Sequence, residues 1–217
     1  LVAVVQPGQE VAAHEPLAVL SSREVGLARD EVLQRKAELD LARRQEQRAA
    51  DVAANVEHLL NLLDNRPPLP KIEAELQGRS LGDYREKIVG AYSKLLLAER
   101  TSQASAALES GTLSNRLIDE RQSTREQAAA QFNSARETAR FAALQQRDAE
   151  RATAEQAQRL LSVSEQALSN LLGPLADMTP VTSREQLSQL TLLAPIAGRI
   201  EERHAVKSAR IEQGHPL

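Results

Sequence analysis

The sequence predicts a mainly α-helical protein with a small β domain. A long antiparallel helical hairpin is inserted into that β domain, which is split between the two ends of the chain. Three observations predict it. A short phrase recurs at both ends at a constant offset. Two long apolar stripes at coiled-coil spacing fill the middle. Only 2% of the 217 residues are aromatic, whereas rings dominate the packing of compact cores.

The phrase comes first. "QPGQEVAAHEPL" at 6–17 aligns without a gap on residues 206–217, so that Val11 falls on Ile211, Pro16 on Pro216 and Leu17 on Leu217. Gly8 falls on Ser208 and His14 on Gly214. Alternating apolar and turn-forming residues predict short strands joined by tight turns. Neither copy is long enough to bury a core alone, so the two are expected to pack together. The β domain therefore takes 1–21 as one half and 190–217 as the other.

The inserted arm runs over 22–174. Val25, Ala28, Val32, Leu39, Ala42, Ala49, Ala53, Val56, Leu60 and Leu63 keep an alternating three-four spacing, interrupted at Arg35 and Glu46. That is the seam of a helix that pairs with another helix. Ser22 is placed to cap its start. "DNRPPLPK" at 64–71 breaks the helix, because its prolines lack the N–H that the ladder needs. The interruption near 64–79 either bulges out, folds as a short helix at "KIEAELQG", or adds a third helical layer. A second stripe, Leu81, Tyr84, Ile88, Ala91, Leu95 and Ala98, then resumes.

The chain reverses at "LESGTLSNR", 108–116, where Gly111 suits a left-handed helix end and Ser114 an N-cap. The returning helix carries Phe132, Ala135, Ala139, Ala142, Gln146, Ala149, Thr153, Gln156, Leu160, Val163 and Ala167 as its expected seam, with Leu171 one residue off it. A helix of about sixty residues, roughly 90 Å long, needs a partner to persist in water. "GPLADMTP" ends it, and 175–189 reads as a linker.

Net charge is −3 with acids and bases mixed, which leaves no basic face for nucleic acid. No run of eighteen apolar residues marks a membrane span. With no Cys there is no disulfide framework. Leu1 opens inside an expected strand without an initiator Met, so the chain reads as a piece of a longer protein. No nucleophile–base–orienter set and no phosphate loop can be assembled, so no catalytic residue and no cofactor are expected. His14, His204 and His215 read as turn and surface residues rather than metal ligands, and Met178 is the only Met, so no thioether cluster exists either. "RDEVLQRK" and "RDAER" read as solvated helix faces with i,i+4 pairs, or as contacts between adjacent arms.

Two stretches carry a family resemblance: "VVQPGQEVAAHEPLAVLSSREVGLARDEVLQRKAELDLARRQ", 4–45, and "LTLLAPIAGRIEERHAVKSARIEQGHPL", 190–217. Together with the hairpin they resemble the HlyD-like membrane fusion proteins, the periplasmic adaptors of tripartite efflux pumps and type I secretion systems. "APIAGRI" is typical of the second lipoyl half of that family, and "LSSREVGLARDE" resembles heavy-metal RND adaptors of the CzcB and CusB type. The resemblance implies a lipoyl-like β domain, a periplasmic location with attachment to the inner membrane through segments outside this chain, and a homo-oligomeric ring, commonly a hexamer. It also implies an inner-membrane RND transporter as one partner and a TolC-like outer-membrane channel, docked by the hairpin tip, as the other. Many members carry an Arg, Leu, Ser triad at the tip. Ser114 matches it, Ala107 stands at the Leu position with Leu108 beside it, and Gln103 stands at the Arg position. The tip surface is therefore expected to comprise Gln103, Ala107, Leu108, Gly111, Leu113, Ser114 and Leu117. True lipoyl and biotinyl carriers present a modifiable Lys between their halves, but here the helical arm occupies that place. The alternatives are the adaptor of an ABC exporter or type I secretion system and, from another class, a structural coiled-coil protein without a transport role.

Overall fold

The structure, a computed structural model, describes residues 3–106, 114–173, 186–204, 206 and 209–210. Its elements in order are β1 (Ala3–Val4), β2 (Glu10–Val11), β3 (Pro16–Ser21), α1 (Arg23–Asp64), α2 (Leu69–Glu75), α3 (Tyr84–Ala106), α4 (Asn115–Leu172), β4 (Gln189–Leu193) and β5 (Gly198–Arg199). The protein is mainly helical with two small sheets. It divides into two compact units, Leu1–Leu41 with Glu155–Leu217, and Ala42–Ala154.

In the first unit the two ends of the chain interleave. One sheet has the order β1-β3-β4 and the other β2-β5, all antiparallel. Val19 faces Thr191, Ser21 faces Gln189, and Val11 faces Gly198. The β3–β4 register slips between Pro16 and Ala18, where proline has no N–H to give the ladder. Backbone bonds close the remaining gaps: Gly8 N–H donates to Ile200 O at 2.7 Å and His14 N–H to Ala194 O at 2.8 Å. Gly8 and His14 adopt positive φ, 84° and 64°. Both are turn positions, and at His14 the second copy of the phrase carries Gly214. Val11 is buried, whereas its counterpart Ile211 lies outside the described residues.

Ser22 separates β3 from α1, and its Oγ accepts a hydrogen bond from Val25 N–H at 3.3 Å. Within this unit α1 and α4 run antiparallel. Val25 packs with Leu172, Val32 and Leu39 pack with Leu161, and Lys36 Nζ lies 3.6 Å from Glu165. Gly173, with φ 69°, ends α4.

The second unit holds a three-helix core. Asp64 ends α1, and Arg66 turns the chain at φ 48° into Pro67 and Pro68. The short α2 then carries Ile72 back against α1, with Pro at its first turn, where a missing N–H costs nothing. The chain regains height through α3, which lies beside α1 rather than in line with it. Successive contacts show the parallel course: Asn55 donates to Ser80 O at 2.9 Å, Tyr92 OH donates to Pro67 O at 2.8 Å, and Arg66 pairs with Glu99 at 2.7 Å. The segment after the prolines is thus both a short helix and the start of a third layer. The core joins Leu59, Leu63, Ile72, Leu81, Ile88, Tyr92 and Phe132. Tyr92 and Phe132 tilt against each other with ring centroids 5.4 Å apart, and Arg136 lies over the Phe132 ring.

The seam of α1 follows the heptads. That of α4 departs from them and corrects the expected register. Its buried residues are Ala128, Phe132, Ala139, Ala143, Ala154, Leu161, Ser164 and Leu172. Ala128 and Ala139, Phe132, Ala143 and Ala154, and Leu161 and Leu172 are each spaced by eleven. Eleven residues in three turns is close to the relaxed helical period, so the stripe stays on one face, whereas a seven-residue repeat drifts around a straight helix. The expected seam residues Gln146, Ala149, Thr153, Gln156, Leu160, Val163, Ala167 and Leu171 are all exposed.

Candidate functional site

The expected tip surface falls at the junction of α3 and α4, in the second unit. Gln103 is exposed on the last turns of α3. Ser114 immediately precedes α4, and its carbonyl accepts the first bonds of that helix, from Leu117 N–H at 3.0 Å and Ile118 N–H at 3.3 Å. Ser114 is exposed, Leu117 is half-buried and Ile118 is exposed. Ala107, Leu108, Gly111 and Leu113 lie outside the described residues.

Behind that junction the two helices are tied by a polar seam. Arg121 Nη1 donates to Ser105 Oγ, which in turn donates to Thr101 O at 2.7 Å; Thr101 Oγ1 donates to Ala98 O at 2.9 Å. Ser105 is buried, so the charge-assisted bond from Arg121 satisfies a hydroxyl shielded from water. Hydroxyls that bond back to the preceding turn satisfy themselves locally and leave the seam apolar enough to close. The arrangement ties α3 to α4 behind the junction.

Elsewhere in the second unit an open groove of about 740 Å³ runs between the start of α3 and α4. Tyr84 and Lys87 line one wall, and Ala135, Thr138 and Ala142 the other. The small residues make room for a bulky apolar group, and Asp83 and Ser134 also line the groove. Among the described residues no three His, Asp or Glu side chains gather as a metal site. His14 is an exposed turn residue, and His204 lies 3.5 Å from Glu202. His215 is outside the described residues. His58, which the periodicity did not single out, buries its Nε2 without a partner.

Two residues were missed by the sequence reading, Arg29 and Gly26, which act together with Ser22. Arg29, one place past the expected seam residue Ala28, is buried and donates through Nη1 to Gln186 O, Leu187 O and Gln189 O at 3.4, 3.1 and 2.5 Å. One turn earlier, Gly26 lets Ser188 approach so closely that a Cβ would stand 3.3 Å from its Cα. Ser22 N–H donates to Ser188 O at 2.7 Å. These three residues of "SREVGLAR" seat the segment that leads into β4 on the first turns of α1. A glycine inside an otherwise regular heptad stripe was the available signal.

No family model matches the chain, and no curated protein matches it. Among solved structures four chains match. One of them is a structure of the periplasmic adaptor protein EmrA, at 16% identity and a TM-score of 0.35, over 99% of this chain and 66% of that one. The chain thus spans just under two-thirds of the EmrA chain it matches. No helix among the described residues is long and apolar enough to cross a membrane.

Proposed function

We propose that the chain is part of a non-enzymatic periplasmic adaptor of the HlyD-like membrane fusion kind. In this reading the β elements form a lipoyl-like domain, copies assemble as a ring, and the helices carry the α3–α4 junction to a TolC-like outer-membrane channel. The inner-membrane partner is an RND efflux transporter of the heavy-metal type, bound through segments outside this chain. The observation that supports it most is the interleaving of the ends. β3 runs directly into α1, β4 follows α4, and the two strands pair along their length. A helical insertion between two halves of one small β unit is the arrangement that the words "LSSREVGLARDE" and "APIAGRI" imply by resemblance.

The test is Ser114→Arg in the full-length protein. Ser114 is exposed, so the substitution is expected to remove at most a cap, about 1 kcal/mol. The expected outcome is an unchanged melting temperature, with loss of export and of crosslinking to the channel. A variant that folds, exports and crosslinks normally overturns docking through this junction.

A further inference from the structure

Ser22 alone links β3 to α1. A single residue brings two soft dihedrals, so the link by itself leaves the helix free to swing about that point. The other covalent route between sheet and helices, residues 173–188, is longer, and a long connection closes over many geometries at little difference in cost. The direction of α1 and α4 relative to β3 and β4 within the first unit is therefore set by contacts and not by the chain.

Those contacts share one face. Ser22, Gly26 and Arg29 follow one another at four and three residues, the spacing that lines up side chains on one side of a helix, and Val25 stands beside them. Each meets the entry into β4. Ser22 N–H donates to Ser188 O, Leu190 packs on Val25 and Leu172, and Gly26 has no Cβ to hold Ser188 off. Arg29 Nη1 reaches Gln186 O, Leu187 O and Gln189 O. Their leverage differs. The bond at Ser22 sits on the pivot and resists no swing. Arg29 stands about 10 Å further along the helix, so a swing pulls hardest there. Its guanidinium is buried, and bonds from a charged donor are stronger than neutral ones. Hydrogen bonds weaken steeply with misalignment, so this seat is either closed or lost.

We propose that Arg29 is a latch. With its guanidinium on the three carbonyls, the helix pair and the β elements of the first unit keep one fixed direction. With it withdrawn, α1 and α4 swing together about Ser22 while β3 and β4 stay paired. That ladder runs from Pro16 to Ser21 and is made by main-chain partners without Arg29. Because its acceptors are carbonyls, the latch holds the course of 186–189 and not its side chains. Lysine at position 29 keeps the charge but lacks the fixed plane of donors, so it holds the seat less firmly. Methionine fills the space and holds none of the carbonyls. Gly26→Ala strains the same seat from beside it, since the new Cβ would stand 3.3 Å from the Ser188 Cα. In the adaptor reading the latch aims the helix pair at the channel; that consequence rests on the reading, and the latch itself does not.

The chain has no cysteine, so spin labels can be placed in pairs on the full-length protein, diluted with unlabelled protein so that only distances within one copy are read. Ala13, on the turn between β2 and β3, and Ala37, on α1, are both exposed. From its place on the helix beyond Ser22, a swing of about 10° moves Ala37 by about 4 Å. With labels at Ala13→Cys and Ala37→Cys, the parent is expected to give one narrow distance. The distribution is expected to broaden slightly in Gly26→Ala, more in Arg29→Lys, and to at least double in width in Arg29→Met. Labels at Ala37→Cys and Ala167→Cys, both on the helix pair, are expected to give the same distance throughout. A narrow Ala13–Ala37 distance in Arg29→Met overturns the latch. Equal broadening between Ala37 and Ala167 also overturns it, since Arg29 would then support the fold in general. Should Arg29→Met fail to fold, Arg29→Lys decides on the same two distances. Export separates the latch from the adaptor reading. Broadening with export intact keeps the latch and removes its use in docking, whereas lost export without broadening overturns the latch and leaves the adaptor reading standing.

Discussion

The two units solve the same problem with different numbers of helices. In Ala42–Ala154 three helices surround the core, and Leu59, Ile72 and Ile88 are wholly buried. In the first unit only α1 and α4 pair. They bury one stripe each and leave leucines at Leu27, Leu33, Leu41, Leu160 and Leu171 substantially exposed. A helix paired on one side can hide only about a third of its circumference, so every apolar residue off the seam stays wet. Where a third helix is supplied in cis the core is closed; where it is not, the same helices present apolar surface outward. The difference lies in the core: the second unit also leaves Leu97 and Phe141 exposed, but around wholly buried side chains that the first unit's helix pair does not match.

The comparison is broken most directly at Ile88. Ile88→Ala removes a fully buried side chain from the three-helix core, and the expected loss is about 2–5 kcal/mol, read from chemical denaturation. A loss under about 1 kcal/mol would mean that the third layer contributes little.

Two adjacent leucines sharpen it. Leu161→Ala empties a buried seam position and is expected to cost about 2–3 kcal/mol, whereas Leu160→Ala, on the exposed stripe, is expected to cost under about 1 kcal/mol in the monomer. Equal costs would restore the heptad register that α4 abandons. Hydrogen exchange adds the regional view: amides of α3 are expected to be better protected than those of α1 before Leu41, which have fewer buried apolar neighbours.

The smallest effect is the most specific. Tyr92 OH donates to Pro67 O, and burial pushes the Tyr92 hydroxyl above its ordinary value of 10.0. A pKa raised by folding favours the protonated group in the folded state. Its contribution is therefore full below pH 10 and is lost as pH rises from there through the folded value. Tyr92→Phe is expected to cost about 1 kcal/mol at neutral pH and to flatten the alkaline part of the stability profile. A mutant profile as steep as the parent's would show that another group titrates there.

The candidate tip was legible only as far as local rules reach. Ser114 was placed by its fitness as an N-cap, and it does precede α4, because capping depends on the few residues that follow. Nothing local identifies what Gln103 or Leu117 would touch beyond the chain, since that is settled by another surface. Arg29 was invisible for a related reason. Its value lies in three carbonyls more than 150 residues away, and an arginine on a helix ordinarily reads as solvated.

The sequence by itself determined where the long helices lie and what ends them. Apolar periodicity, Ser22 as a cap, the prolines after Asp64 and Gly173 all act within a turn or two of chain. It also showed that the two ends carry matching phrases, the second of which lies largely outside the described residues. Only the tertiary structure decided which of two neighbouring stripes on α4 became the seam. Leu160 and Leu161 are equally apolar and differ only by about 100° of rotation. Which of them is buried depends on where α1 stands across from them, and that position is set by contacts distant in sequence. The third layer was decided in the same way. Several courses after the prolines suited the local pattern, and burial of Ile72, Leu81 and Ile88 against α1 and α4 selected one.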